Sequence, residues 1–68
     1  MMGTWIVIHM AHSQQEAERL KQKLTEEGIL VRLKPVYKNR PAKENCYELL
    51  VLHSEIEAAR EIFLEKGF

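Results

Sequence analysis

The amino-acid sequence predicts an α+β fold in a single domain, residues 1–68, with its elements in the order βαββα. Three short runs rich in β-branched and aliphatic residues predict strands at 5–10, 29–34 and 47–53. Apolar residues recur at helical spacing over 14–27 and again after residue 54, which predicts two helices. A chain of this length has a small core and no room for an enclosed active site.

Both predicted helices begin with the same local signature. Ser13 precedes Glu16 by three residues, and Ser54 precedes Glu57 by three residues. In such a capping box, each side chain pairs with a free backbone N–H group of the other residue. Gly28 and Gly67 are expected to end the two helices, because glycine adopts the left-handed conformation at little cost.

The two halves of the chain also resemble each other. Residues 12–19 and 53–60 share the pattern H-S-x-x-E-A-x-R, and each copy follows a strand and leads to a glycine. Two related βαβ halves are typical of the ferredoxin-like split βαβ domain. We therefore expect a ferredoxin-like two-layer sandwich, with an antiparallel or mixed sheet of strand order 1-3-2. Both helices would lie on one face, and the fourth strand would be missing.

The missing fourth strand would leave the strand at residues 5–10 on an open edge. This edge strand is apolar and contains no charged residue or proline. Such edges readily pair with another chain, and a second copy would pair across a two-fold axis. The alternative is that a twist, or the segment 1–4, covers the edge.

The face of the sheet away from the helices is predicted to be unusually apolar. Strand alternation places five apolar residues among nine on this face, which is too many for a solvated surface. The same alternation places Met10 beneath the helices. We expect a partner or dimer surface formed by Trp5, Val7, His9, Leu30, Leu50 and Leu52, beside the charged residues Arg32, Lys34 and Glu48.

The charges are balanced in number but not in position. Ten basic residues match ten acidic ones, so net charge gives no attraction to nucleic acid or membranes. No acid lies between Gly28 and Lys43, whereas half of the basic residues lie close together there. They are a candidate site for a small anion or nucleic acid, and the alternative is a solvated loop. These residues are Arg32, Lys34, Lys38, Arg40 and Lys43.

Two histidines occupy equivalent places before the two helices. We expect the strands that precede His12 and His53 to be adjacent and parallel, which would place both helix N-termini side by side. Helix N-termini attract anions, so the pair is a second candidate anion site; local capping and packing are the alternative. Two imidazoles do not complete a zinc site, and Cys46 is expected at the far end of its strand, so we expect no metal.

The single cysteine, Cys46, excludes an internal disulfide. The N-terminus lacks the pattern of a signal peptide, and no apolar run is long enough to span a membrane. We therefore expect a cytoplasmic protein that does not associate with membranes. No group is placed to activate Cys46 as a nucleophile, so we expect no catalytic residues, no cofactor and no enzyme activity.

The residues also resemble a known family. An aromatic-led first strand at 5–8 (W-I-V-I), the pair Glu16-Ala17 in the first helix and the G-I-x-V segment at 28–31 are similar to the small bacterial "signal-transducing protein" family, a domain of unknown function. The resemblance implies a ferredoxin-like βαββα module and transfers no catalytic residues. We expect a regulatory module that forms a homodimer or binds a partner protein. The alternative is a binder of a small anion or nucleic acid.

Overall fold

The structure, a computed structural model, describes residues 3–66. Their elements are β1 (Trp5–Ala11), α1 (Gln14–Glu26), β2 (Val31–Pro35), β3 (Tyr47–Leu52) and α2 (Ile56–Lys66). Two single-turn 3₁₀ helices, Ala42–Glu44 and His53–Glu55, precede β3 and α2. The predicted order βαββα is confirmed. The predicted helix stop at Gly67 lies outside the described residues.

The three strands form one antiparallel sheet in the order β1-β3-β2. The predicted α+β fold class and strand order are therefore confirmed. Val51 of the central strand lies opposite Ile6 on one side and Val31 on the other. The outer edge of β1 pairs with no other strand in the described part of the chain.

Both helices pack on the same face of the sheet, and the core lies between the two layers. Leu49 and Val51 of β3 are fully buried, because neighbouring strands cover both edges and the helices cover one face. Burial of aliphatic side chains of this kind is the main favourable contribution to folding. The helices contribute Ala17, Leu20, Leu24, Ala59 and Ile62 to the core.

A β-bulge interrupts β1 at Ile8. Residues 5–7 pair with 52–50 and residues 9–11 pair with 49–47, so Ile8 has no partner on β3. One extra residue in a strand shifts the alternation of its side chains. His9 therefore lies on the helix side, with its ring 5.5 Å from that of Phe63. Met10 lies on the other face, opposite Glu48. The predicted faces of His9 and Met10 were both wrong, because they assumed an unbroken strand.

The ends of α1 agree with the sequence prediction in part: Ser13 is the N-cap and Gly28 ends the helix, but only one of the two hydrogen bonds of the predicted capping box forms. Ser13 accepts a hydrogen bond at its Oγ from the backbone N–H of Glu16, at 3.1 Å. At the other end, Gly28 has a φ of 88°, where any residue with a Cβ atom would be strained. The N–H groups of Gly28 and Ile29 donate to the carbonyls of Thr25 and Leu24, each at 3.0 Å. This pair of bonds is a Schellman motif, which satisfies the last carbonyls of the helix.

The capping box predicted at Ser54 does not form. In the first half of the chain, Ser13 is an extended residue between strand and helix. In the second half, Leu52 is the last extended residue, and the 3₁₀ turn begins at His53. Ser54 therefore lies inside that turn, where it cannot act as an N-cap, and the cap position has no side-chain hydrogen bond.

This difference between the two serines is testable by a matched pair of substitutions. We expect Ser13→Ala to lower the free energy of unfolding by about 1 kcal/mol, because it removes the N-cap acceptor. Ser54→Ala should change it by less than about 0.5 kcal/mol, as for an ordinary surface substitution. Urea unfolding followed by circular dichroism measures both values. Equal losses from the two substitutions would contradict the assignment of the cap.

Candidate functional site

The face of the sheet opposite the helices carries apolar side chains that no helix or strand of residues 3–66 covers. Strand register places Trp5 beside Leu52 and Val7 beside Leu50 on this face. Within residues 3–66, both helices pack on the other side of the sheet. We call this surface the open face; it consists of Trp5, Val7, Met10, Arg32, Lys34, Glu48, Leu50 and Leu52.

The apolar side chains of the open face differ in exposure. Val7 is 46% exposed and Met10 44%. Trp5, Leu50 and Leu52 are half-buried, and Gly3 lies against the Leu52 side chain. Four of the six residues predicted for the partner surface thus lie on one face, and His9 points away from it. Met10 takes its place there because of the bulge. Leu30, which is 62% exposed, precedes β2, so strand register does not assign it to a face.

Arg32 connects the apolar part of the open face to its charged part. Its guanidinium carbon lies 4.9 Å from the centre of the Trp5 ring, within the range of a cation–π interaction. Trp5 is on β1 and Arg32 is on β2, so the contact spans the central strand. Beside it lies a shallow cavity of about 350 Å³, lined by Trp5, Arg32, Leu33, Lys34 and Leu50.

The basic residues of β2 and the following loop carry no counter-charge. We call Arg32, Lys34, Lys38, Arg40 and Lys43 the basic segment; all five are exposed. Among residues 3–66, Lys66 forms an ion pair with Glu27, and the His9 imidazole lies beside the Glu16 carboxylate, each at 3.9 Å; neither contact includes the basic segment. Even Lys34, which lies opposite Glu48 in the sheet, forms no ion pair with it. These charges are therefore available to a binding partner.

A buried asparagine holds the loop that carries the basic segment. Asn45 is only 3% exposed. Its Oδ1 accepts from the backbone N–H of Tyr37 at 3.0 Å, and its Nδ2 donates to the Tyr37 carbonyl at 2.6 Å. The guanidinium of Arg40 lies 4.1 Å from the centre of the Tyr37 ring. Asn45 was not predicted from the sequence; the available signal was a polar residue two positions before a predicted strand.

The predicted site at two neighbouring helix N-termini does not exist, because β1 and β3 are antiparallel. The backbone N–H of His53 donates to the carbonyl of Thr4 at the start of β1, whereas His12 follows its end. The two histidines are thus separated by the length of the strands, about 20 Å for six residues. Cys46 lies at the opposite end of β3 from His53, as predicted, and this is the end of the sheet that His12 follows.

A second cavity lies beside β1. It has a volume of about 220 Å³, lies between β1 and α2, and is lined mainly by Ile6, Ile8, Ile56 and Phe63, with Arg60.

Metal binding depends on the positions of the possible ligands. No three histidine, cysteine or acidic side chains lie close enough to hold a metal ion in the described part of the chain.

The fold and this surface define a small α+β domain with one open sheet face. No protein family, curated protein or solved structure matches the chain. No helix in residues 3–66 has both the length and the apolar character needed to cross a membrane.

Proposed function

We propose that the chain is a small, non-enzymatic interaction module that binds another protein chain through the open face. The partner is either a second copy or a different protein. The observation that carries the proposal is the presence of Trp5, Val7, Met10, Leu50 and Leu52 on one face that no helix or strand of residues 3–66 covers. Contiguous apolar surface of this kind typically marks an interaction site, because its burial on binding is favourable.

We further propose a fold family, a regulatory role and a cellular compartment for the module. The βαββα order, the 1-3-2 sheet and the H-S-x-x-E-A-x-R repeat support a ferredoxin-like assignment. The W-I-V-I strand supports membership of the bacterial signal-transducing family, and hence a regulatory role. A single cysteine, Cys46, supports a reducing compartment such as the cytoplasm.

The open face is a better binding surface than the free edge of β1. The bulge at Ile8 leaves only three regularly paired residues on either side of it. Bulges at sheet edges hinder the addition of another strand, since they twist the edge and disturb its hydrogen-bonding pattern. Pairing through the edge therefore ranks second, as an extension of contacts made by the open face.

A second function is favoured by the basic segment, which forms no ion pair among residues 3–66. Five exposed cations on one strand and loop suit a small anion or the phosphates of nucleic acid. Backbone amide shifts of Lys38 and Arg40 on addition of inorganic phosphate, nucleotides or RNA would test this alternative. The absence of any shift would remove it.

The interaction role is tested by comparing two exposed apolar positions. A photo-crosslinking residue at Val7 on the open face should give a discrete adduct in cells, either with a second copy or with one other protein. The same residue at Leu64, which is 78% exposed on α2, serves as the control and should give none. Sedimentation of the purified protein separates self-association from binding to a different partner.

Val7→Asp should abolish the interaction, because it places a charge in the apolar contact, whereas Leu64→Asp should preserve it. A strictly monomeric protein that forms no adduct at Val7 would contradict the interaction role. Equal adduct formation from both positions would also contradict it, since that result would reflect random encounters.

A further inference from the structure

We propose that the partner of the open face is an acidic amphipathic protein segment. Its apolar side chains would cover Trp5 and Leu50, and its carboxylates would pair with Arg32 and Lys34. This inference rests on the interaction role proposed above and specifies the chemistry of the partner.

The first argument is the arrangement of apolar and cationic groups on one surface. Arg32 lies directly opposite Leu50 in the sheet, and Lys34 lies two residues further along β2. Leu33, between them, points to the other side and packs against the core. A partner that covers Leu50 therefore approaches both cations at once, and its own charges must be negative to avoid repulsion.

The second argument is the separation of charge between the two layers. Eight of the ten acidic residues lie in α1, in α2 or in the residues that adjoin them. Half of the basic residues lie in the basic segment, and none of these has a carboxylate within 4.0 Å among residues 3–66. Such a distribution creates a positive potential over one side of the molecule, which attracts and orients acidic partners.

The third argument weighs two other partners that could cover the open face, a second copy of the chain and single-stranded nucleic acid. Two open faces placed against each other would bring together surfaces that each carry Arg32 and Lys34 against a single acid, Glu48, so their charges would repel. Single-stranded nucleic acid is typically bound by several aromatic rings on which successive bases stack. The open face carries one aromatic side chain, Trp5.

The test uses a short synthetic peptide of alternating glutamate and leucine, with blocked termini, added to the full chain. Emission of Trp5, the single tryptophan, and the backbone amide shifts of Arg32, Lys34 and Leu50 report binding. Peptides with lysine for glutamate, or serine for leucine, and oligouridylate serve as comparison probes. We expect the glutamate–leucine peptide to bind most tightly, and binding to weaken as ionic strength rises.

Charge reversal on the open face provides the specific control. Arg32→Glu with Lys34→Glu should weaken peptide binding about tenfold, since two attractive contacts become repulsive. Arg19→Glu with Lys23→Glu changes the net charge equally on the exposed side of α1 and should leave binding within about twofold, because distant exposed charges are screened. Arg32→Gln with Lys34→Gln keeps the test valid if the reversed variant does not fold, and should weaken binding by about threefold.

Three outcomes would overturn the acidic partner. One is equal or tighter binding of the lysine–leucine peptide or of oligouridylate to the same residues. The second is an equal loss of binding from the α1 charge reversal. The third is persistence of adducts at Val7 in the Arg32 and Lys34 variants and in high salt, in which case the interaction role still stands. If adducts at Val7 never form, the interaction role itself fails.

Discussion

Replacing Leu49 by alanine is expected to unfold most of the protein at room temperature. Leu49 is fully buried in the central strand, beneath both helices. Truncating such a leucine removes buried apolar surface and leaves a cavity, which costs about 2–5 kcal/mol. A core in a chain of this size rarely supplies more than about 3–5 kcal/mol. The expected loss is therefore comparable to the whole stability of the domain.

Urea unfolding, followed by circular dichroism and by the dispersion of the amide spectrum, measures this effect. Leu64→Ala is the matched control, since Leu64 is 78% exposed on α2, and it should change stability by less than about 0.5 kcal/mol. If Leu49→Ala kept the urea midpoint of the natural protein, the position of Leu49 in the core would be wrong.

The second large effect is expected at Asn45. Asn45→Ala removes both hydrogen bonds to the backbone of Tyr37 and leaves that N–H and carbonyl without their partner. Each intramolecular hydrogen bond contributes about 1 kcal/mol net, so we expect the loss of both to cost about 2 kcal/mol. The loop between β2 and β3 should loosen before the sheet does, because this asparagine fixes its return to β3.

Hydrogen exchange of the Tyr37 amide, together with urea unfolding, follows both parts of this prediction. Asn39→Ala is a suitable control, since Asn39 is exposed in the same loop and makes no comparable contact. An unchanged exchange rate at Tyr37 in Asn45→Ala would show that the asparagine does not hold the loop.

The element order could be predicted because each element carries its own local signal. Ser13 and Gly28 mark the ends of α1 through backbone chemistry that depends only on neighbouring residues. The bulge carries no such signal. Residues 6–8 are uniformly apolar, so nothing in the sequence marks where the alternation changes phase. The faces of His9 and Met10 depend on that phase, which is why both were predicted wrongly.

The candidate sites depended on relations between distant parts of the chain. The repeat at His12 and His53 reports the local transition from strand to helix, but it does not report the relative direction of the two strands. The antiparallel pairing of β1 and β3 therefore separates two residues that the repeat makes equivalent. Asn45 was missed for a related reason, since its partner, Tyr37, is eight residues away and meets it only when the loop has folded.

The bulge at Ile8 is also expected to limit aggregation of the protein at high concentration. An apolar, regular edge strand can act as a template on which further chains stack into cross-β fibrils. The irregularity limits each regular stretch of β1 to three residues, about half the length of segments that form such fibrils. Deleting Ile8 would restore a regular edge, so we expect this deletion to increase aggregation of a chain with no net charge.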